Sequence, residues 1–257
     1  MEKIDYRTAN ENDIKRIVEI VQVGNQEFID KLIYGCKGIE KYIESNINNS
    51  NSDLKFFVAT RQEDVIGALE IKIINNIIFI NYIAIDPKYR GKGIGKGIIK
   101  YSLNYLIQHK EYNTVRLDVF KQNTGALNLY KKLGFRIIKE YEWISISKSR
   151  DNLSNIQYDL IDYQESIKVY ENRGFSNLTI KINNVNKTVG ILGKKWFRVK
   201  DTDVNSNLVD ILFDLDNRKI LSIKEKDTPI NIANFDANTL YESYRMETTI
   251  KEILNKL

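Results

Sequence analysis

Three glycines alternate with other residues in the segment Arg90-Gly91-Lys92-Gly93-Ile94-Gly95, which joins a predicted strand to a predicted helix. The start of a helix exposes backbone N–H groups and the positive end of the helix dipole. Glycine lets an anion come close to that backbone, because it has no β-carbon, and it tolerates a positive φ. The segment therefore predicts a binding site for the phosphate groups of a ligand.

The spacing of these glycines fits neither of two common phosphate-binding motifs. A dinucleotide fingerprint needs a glycine three residues after Gly93, where Lys96 stands, and a P-loop needs Ser or Thr after Lys96, where Gly97 stands. A glycine-rich turn without function is the alternative, but each glycine at a helix start costs about 1 kcal/mol relative to alanine. The pattern favours a phosphate site of another kind.

A second segment suited to chemistry runs from Asn123 to Phe135, with the sequence Asn-Thr-Gly-Ala-Leu-Asn-Leu-Tyr-Lys-Lys-Leu-Gly-Phe. Asn123 is placed to cap a helix, and a contact with a cofactor is compatible with that role. Tyr130 shares a helical face with Ala126 and Leu133, so packing in the core is the alternative to a catalytic role. The segment therefore predicts a helix that carries one candidate proton donor.

The two segments together resemble the GNAT superfamily of N-acetyltransferases. Its signature is Arg or Gln, two residues, Gly, any residue, then Gly or Ala, and it is matched by Arg90, Gly93 and Gly95. The predicted elements over residues 1–161 follow the order of that superfamily: a strand, two helices, three strands, a helix, a strand, a helix and two strands. The resemblance implies an α/β (α+β) GNAT fold, in which helices flank a mixed, mostly antiparallel central sheet.

Acetyl-coenzyme A is the cofactor that the resemblance implies. In the superfamily, the strand before the glycine segment separates from its neighbour and pairs with the pantetheine arm of the cofactor. A tyrosine at the position of Tyr130 protonates the departing thiolate, and a phenol with a pKa of about 10 suits that task. The predicted cofactor-binding residues are Ile83, Ala84, Ile85, Arg90, Gly91, Lys92, Gly93, Ile94, Gly95, Asn123 and Tyr130.

The general base that takes the amine proton is not where the resemblance places it. Superfamily members often carry a carboxylate in the strand before the glycine segment, and this strand has Asn81 and Tyr82 there. Glu70, between Leu69 and Ile71 in the neighbouring predicted strand, is the candidate that remains. A solvated glutamate on the open face of the sheet is the alternative.

The composition argues against several other classes of protein. There are 39 Lys and Arg residues against 34 Asp and Glu residues, and they are spread along the chain, so the charge falls short of a nucleic-acid footprint. The single cysteine, Cys36, and the single histidine, His109, supply neither a disulfide nor a zinc site. A Ser-His-Asp triad would have to use His109, which lies at the lysine-flanked end of a predicted helix, so this class of active site is disfavoured. Cys36 fits a small buried side chain better than a nucleophile.

Membrane and signal segments are not indicated either. No apolar run reaches the roughly 20 residues that a membrane helix needs, and residues 1–5 lack the apolar core of a signal peptide. We therefore expect no metal site, no membrane or nucleic-acid partner, and a cytoplasmic location.

The pattern changes near residue 163 and predicts a second domain. We expect an acetyltransferase domain over residues 1–162, in which one helical stretch spans about Gln26 to Ile43. We expect a smaller α+β accessory domain over residues 163–257, a strand meander closed by a terminal helix from about Asn238 to Leu257. Leu208–Phe213 is among its predicted strands.

One short pattern in the second half repeats a pattern in the first. Val169–Phe175 has the same tyrosine, three residues, Gly-Phe spacing as Tyr130–Phe135. A duplicated acetyltransferase half would explain this repeat, but no second glycine segment precedes it. Chance is the interpretation that we favour at this point.

These features predict an acetyl-CoA-dependent N-acetyltransferase that transfers the acetyl group directly to a primary amine. The acceptor classes are a small molecule, such as a polyamine or an aminoglycoside-like compound, and a protein N-terminus. Leu117-Asp118-Val119 before the Asn123 segment is similar to the ribosomal-protein N-terminal acetyltransferases. The alternatives are a non-catalytic acyl-CoA-binding sensor, suggested by the missing acid at Asn81 and Tyr82, and an enzyme for a longer acyl-CoA. A homodimer is compatible with the sequence.

Overall fold

The computed structural model describes residues 3–108, 110–148, 156–230, 232 and 235–257, so His109 lies outside the described residues. In chain order, the helices and strands are β1 (Asp5–Thr8), α1 (Ile14–Gly24), α2 (Ile39–Ile47), β2 (Leu54–Arg61), β3 (Asp64–Ile74), β4 (Ile77–Ile85), α3 (Ile94–Ile107), β5 (Thr114–Phe120), α4 (Thr124–Lys132), β6 (Arg136–Lys148), β7 (Tyr158–Leu160), α5 (Tyr163–Arg173), β8 (Phe175–Ile182), β9 (Val185–Leu192), β10 (Trp196–Lys200), α6 (Ser206–Leu215), β11 (Lys219–Glu225), β12 (Phe235–Thr249) and α7 (Ile250–Lys256).

The chain divides into two compact units that do not follow the order of the sequence. The first unit comprises Met1–Glu27, Glu40–Lys139 and Tyr244–Leu257, and the second comprises Phe28–Ile39 and Glu140–Ser243. The predicted domains, 1–162 and 163–257, place the division elsewhere and stay a prediction.

The sheet of the first unit has the strand order β1-β2-β3-β4-β5, and the end of β12 lies next to β5. Consecutive strands from β1 to β4 pair in antiparallel orientation, whereas β4 and β5 pair in parallel. A parallel pair needs a crossover connection, and α3 supplies it. The mixed, mostly antiparallel sheet flanked by helices is the fold that the resemblance implied.

The core of the first unit lies between this sheet and the helices α3, α4 and α7. Ile98, Ile99 and Leu103 of α3 are fully buried there, at the spacing of one helical face. Gly97 allows α3 to approach β1, because a β-carbon at this position would lie 2.0 Å from the hydroxyl oxygen of Tyr6. The start of α3, which carries the glycine segment, therefore packs closely against the sheet at Tyr6.

The C-terminal residues complete the first unit. Met246 of β12 and Ile253 of α7 are fully buried in its core, and the Ile250 N–H donates to the Asn113 carbonyl at 3.1 Å. A terminal helix was predicted from about Asn238, but the helix begins only at Ile250, after Thr249 caps it by accepting from the Glu252 N–H at 3.1 Å. The residues before it form β12, since pairing with distant strands outweighs the local helical pattern.

The second unit repeats the topology of the first. The strands β7, β8, β9 and β10 follow one another as antiparallel neighbours, a helix separates β7 from β8, and β10 is parallel to β11 across the connecting helix α6. This is the same succession as in β1 to β5. We favoured chance over a duplicated half, and the strand order now supports a repeated half. The Val169–Phe175 pattern itself begins in α5, between β7 and β8, and so corresponds to the helices between β1 and β2 and not to α4.

Two predicted elements of the second unit have a different structure. Leu208–Phe213 was predicted as a strand but lies within α6, which Asn205 caps by accepting from the Leu208 N–H at 3.0 Å. The buried residues of α6 fall at helical spacing: Leu208, Val209, Ile211 and Leu212. The predicted strand Ile156–Ile161 is shorter, as β7, and pairs with β8 of the second unit.

The single predicted helix over about Gln26 to Ile43 is wrong. Two short 3-10 turns, Ile29–Lys31 and Ile33–Gly35, precede α2. Gly35 makes the tight turn possible, because a β-carbon there would lie 2.2 Å from the Ile29 carbonyl oxygen. Apolar spacing alone did not reveal the turns.

Candidate functional site

The strand β4 leaves its parallel partner halfway along its length. The register of β4 with β5 runs from Ile77 opposite Thr114 to Ile80 opposite Leu117, while β4 continues to Ile85. A β-bulge lies at this point, since Glu70 of β3 is opposite Tyr82 and the next residue is opposite Ile80. The predicted pantetheine-binding residues Ile83, Ala84 and Ile85 all belong to the part of β4 beyond the register with β5.

The glycine segment begins five residues after β4 and ends inside α3. Gly91 and Gly93 have φ values of 77° and 78°, in the left-handed region that favours glycine, and open space surrounds the position of a β-carbon at both. Gly93 is the N-cap of α3, and the Gly97 N–H is the donor to its carbonyl at 3.0 Å. The N–H groups of the first turn, from Ile94 to Lys96, precede that bond and so point out of the helix. This geometry suits an anion.

Asp86 anchors the turn that leads into the glycine segment. Its carboxylate accepts from the Lys88 N–H at 2.9 Å and from the Arg16 guanidinium of α1. Burial alone would raise the pKa of this carboxyl, but the two hydrogen bonds outweigh it and the pKa is lowered. In addition, Arg90 Nε donates to the Ile85 carbonyl at 3.0 Å. The end of β4 is thus tied both to α1 and to the segment itself.

Cationic side chains gather beside the segment. The Lys92 ammonium and the Arg61 guanidinium lie 5.3 Å and 5.7 Å from the centre of the Tyr89 ring. The Arg61 guanidinium also donates to the Tyr89 hydroxyl at 3.3 Å. This charge favours an anionic ligand at the start of α3.

Sequence reasoning missed two glycines that position β4 and α3. A β-carbon at Gly24, the last residue of α1, would lie 3.0 Å from the β-carbon of Ala84, so α1 packs tightly against the part of β4 that has left β5. Gly97 has the same role toward Tyr6. Gly97 lies two residues after the Arg90–Gly95 segment, and a fourth glycine so close to the other three is the sequence feature that could have indicated this close packing.

The second predicted segment forms α4 and the turn before it. The Asn123 side chain caps α4 by accepting from the Ala126 N–H at 3.2 Å, which is one of the two roles considered for it. Tyr130 is 5% exposed and its ring lies edge-on to Phe135, with the ring centres 5.6 Å apart. Burial raises the pKa of Tyr130. Tyr130 therefore packs in the core, and its phenol stays protonated at neutral pH.

Glu70 lies at the bulge of β4. It is 2% exposed, which rules out the alternative of a solvated glutamate on an open face. The Asn81 amide donates a hydrogen bond to Glu70 Oε1. The structure thus brings together the candidate base and the strand where a carboxylate was expected, at the point where β4 leaves β5.

Cys36 is 5% exposed in the second unit, and burial raises the pKa of its thiol. A thiol in this state is a poor nucleophile, so its surroundings agree with the predicted packing role.

The strand β10 and the connection into α6, which correspond to β4 and the glycine segment, have a different geometry in the second unit. β10 is in register with β11 along its whole length, from Trp196 opposite Lys219 to Lys200 opposite Ile223. The connection into α6 carries Asp201 and Asp203 in a 3-10 turn where the first unit has its glycines. Because β10 is paired with β11 throughout, its backbone is not available to a ligand. The acidic side chains in the following turn also repel a phosphorylated ligand.

Comparison with known proteins finds a family match for part of the chain. Residues 24–135 match the model of the acetyltransferase (GNAT) family. The spermidine N(1)-acetyltransferase of Thermoplasma acidophilum is 26% identical over 144 residues, which are 52% of this chain and 89% of that protein. The spermine/spermidine N(1)-acetyltransferase of Bacillus subtilis is 29% identical over 69 residues, 27% of this chain and 45% of that protein, so the chain spans less than half of this relative.

Two solved structures are similar over nearly the whole chain. A tandem GNAT protein from the clavulanic acid biosynthesis pathway has a TM-score of 0.71 at 11% identity, over 96% of this chain and 98% of that one. A putative acetyltransferase from Pyrococcus horikoshii has a TM-score of 0.67 at 16% identity, over 97% and 90% of the two chains. These likenesses show a shared fold.

The strand β4, the glycine segment and α3 all lie within the residues that match this family. Residues 24–135, less than half of the chain, match the acetyltransferase (GNAT) family, whose acyl donor is acetyl-CoA. Within the described part of the chain, none of the helices has the length and apolar character needed to span a membrane.

Proposed function

We propose that this protein is an N-acetyltransferase that transfers the acetyl group of acetyl-CoA to a primary amine of a small molecule, with polyamines as the first class to test. The departure of β4 from β5 after Ile80, directly before the glycine segment, is the observation that carries this proposal. It leaves strand backbone available to a ligand with amide groups and ends at a nest for its phosphates.

In this proposal the pantetheine arm pairs with the backbone from Ile83 to Ile85. The pyrophosphate lies on the N–H groups of the Arg90–Gly95 segment, and Lys92 contributes positive charge. A thioester held in this way reaches the bulge of β4, where Glu70 is buried. Positioning of the two reactants supplies a large part of the rate.

The chemistry is a direct displacement. The amine nitrogen attacks the thioester carbonyl, its proton passes to the Glu70 carboxylate, the C–N bond forms and the C–S bond breaks. The leaving thiolate of coenzyme A receives a hydrogen bond from the Tyr130 hydroxyl. Because burial raises the pKa of Tyr130, the phenol is a weaker acid than a thiol, whose pKa is about 8.5. Its main contribution is then to stabilise the thiolate.

Replacing Tyr130 by phenylalanine should lower kcat roughly 10- to 100-fold, the value of one hydrogen bond to a charged group. The ring packing against Phe135 is retained, so the melting temperature and the affinity for acetyl-CoA should stay unchanged. Steady-state kinetics with calorimetric binding of acetyl-CoA checks both. An unchanged kcat would remove Tyr130 from the mechanism.

The choice of polyamines rests on the names of two relatives, the spermidine and spermine/spermidine N(1)-acetyltransferases of Thermoplasma acidophilum and Bacillus subtilis. A polyamine carries primary amines at its ends, and such amines are mostly protonated at pH 7 and need a base. Protein N-termini and aminoglycoside-like amines remain acceptor classes for the same test, and a cytoplasmic location agrees with all of them.

The test is release of free coenzyme A thiol from acetyl-CoA in the presence of single amines. Spermidine, spermine, an aminoglycoside and peptides with free N-termini form the panel, and mass spectrometry identifies the product. We expect thiol release with at least one polyamine. Tight binding of acetyl-CoA without turnover of any amine would favour a non-catalytic acyl-CoA-binding sensor. Faster turnover with a longer acyl-CoA would favour an enzyme that transfers longer acyl chains.

The repeated topology leads to an expectation about stoichiometry. One acetyl-CoA should bind per chain, because among the described residues the open strand and the glycine nest occur in the first unit, whereas Asp201 and Asp203 occupy the corresponding turn of the second. Isothermal titration calorimetry measures this number. Two equivalent sites per chain would contradict the assignment of the second unit as a copy without a cofactor site.

A further inference from the structure

The acid expected in β4 is replaced by a pair of residues on adjacent strands. Asn81 is the extra residue of the bulge: Glu70 is opposite Tyr82 and Ile71 is opposite Ile80, so Asn81 has no partner in the register of β3. Ile80 is also the last residue of β4 in register with β5. Asn81 is therefore the first residue of β4 beyond its register with β5.

The side chain of Asn81 is directed at Glu70. Its amide nitrogen donates to Glu70 Oε1, and Glu70 is 2% exposed. Burial disfavours a charged carboxylate, and a neutral amide donor favours it. An aspartate at position 81 would instead place a second negative charge against Glu70. An asparagine amide at position 81 can therefore donate to the buried carboxylate without neutralising it.

Residues of the neighbouring strands and of α1 also surround Glu70. On the same face, Tyr82 of β4 and Phe56 of β2 stand opposite Glu70, and Lys72, two residues further along β3, is exposed. The helix α1 packs against β3 and β4, and its buried residues are apolar: Ile14, Ile17, Val18, Ile20 and Val21. Tyr82 and Lys72 are the titratable side chains at these flanking strand positions.

We propose that Asn81 is a positioning residue for the reaction: it holds the Glu70 carboxylate ionised and oriented, so that Glu70 accepts the proton of the attacking amine. This inference rests on the proposed function. It explains why β4 carries asparagine where an acid was expected, since the acid lies across the bulge on β3. The proton goes from the amine to Glu70, the acetyl group goes to the nitrogen, and the electron pair of the C–S bond stays on sulfur.

The test compares Asn81→Ala, Asn81→Asp and Asn81→Gln with the intact chain, using acetyl-CoA and spermidine. Asn81→Ala should move the midpoint of the acid limb of kcat upward by about one pH unit, so that kcat falls about tenfold at pH values below both midpoints, in line with one charged hydrogen bond. Asn81→Asp should move it further, and Asn81→Gln, which keeps an amide donor, should recover part of the loss. KM for acetyl-CoA should change less than about twofold. Asn104→Ala, at an exposed position of α3, is the matched control.

A second measurement separates this inference from the proposed function. Carboxyl carbon NMR of glutamate-labelled protein, with the Glu70 resonance assigned by its loss in Glu70→Gln, follows the titration midpoint of Glu70 without any turnover. We expect Asn81→Ala to raise that midpoint. If it stays unchanged, or if the acid limb of kcat stays in place while spermidine is acetylated, Asn81 has no positioning role. If no amine is acetylated but the midpoint rises, the function fails and the contact between Asn81 and Glu70 stands.

Discussion

Replacing Gly93 by valine should abolish the binding of acetyl-CoA, with a loss of affinity of more than about 100-fold. Gly93 has a φ of 78° at the N-cap of α3, a conformation that costs a β-branched residue roughly 1–2 kcal/mol or more. No neighbouring atom would clash with a β-carbon there, so the damage comes from backbone strain and from blocked access to the first turn of α3. Calorimetric titration with acetyl-CoA measures the effect.

The matched control is Gly193→Val in the second unit. Gly193 also has a positive φ, of 54°, and open space around its β-carbon position, so it carries similar strain away from the glycine nest. Its affinity for acetyl-CoA should equal that of the parent chain. If Gly93→Val retains the affinity of the control, the glycine segment is not the cofactor site.

Replacing Glu70 by glutamine should lower kcat roughly 100- to 10,000-fold, the range for loss of a general base. Glutamine has the same shape and can keep the contact with the Asn81 amide, so the fold and the KM for acetyl-CoA should be retained. The remaining rate should rise steadily with pH, because only the fraction of free amine then limits attack. A pH profile of kcat with the best acceptor amine checks this.

Glu44→Gln is the control for that experiment, since Glu44 is exposed on α2 and should leave both constants unchanged. A Glu70→Gln enzyme with the parent kcat and the parent acid limb would show that water or another group takes the proton.

Local features of the site could be predicted from the sequence. The glycine nest depends on residues within one turn of chain, and the cap of α4 depends on Asn123 and the N–H three residues later. Such arrangements are decided by backbone geometry over a few residues, so their residue types identify them. The match of the two segments to the family followed from the same local patterns.

The features that depend on distant pairing could not be predicted. β12 lies next to β5, although the two are far apart in the sequence, and that pairing turned a predicted helix into a strand. The bulge that brings Asn81 to Glu70 is a register shift between β3 and β4, which no residue type announces. The repeated topology of the second unit could not be recognised, because Asp201 and Asp203, and not glycines, precede its crossover helix α6.

A structure of this protein with acetyl-CoA tests the central claim most directly. We expect the pantetheine amides to pair with the backbone of β4 from Ile83 to Ile85, the pyrophosphate to lie on the N–H groups of the Arg90–Gly95 segment, and the thioester to reach the Glu70 side of the bulge. A cofactor bound elsewhere, with β4 unchanged and the glycine nest unused, would contradict the account.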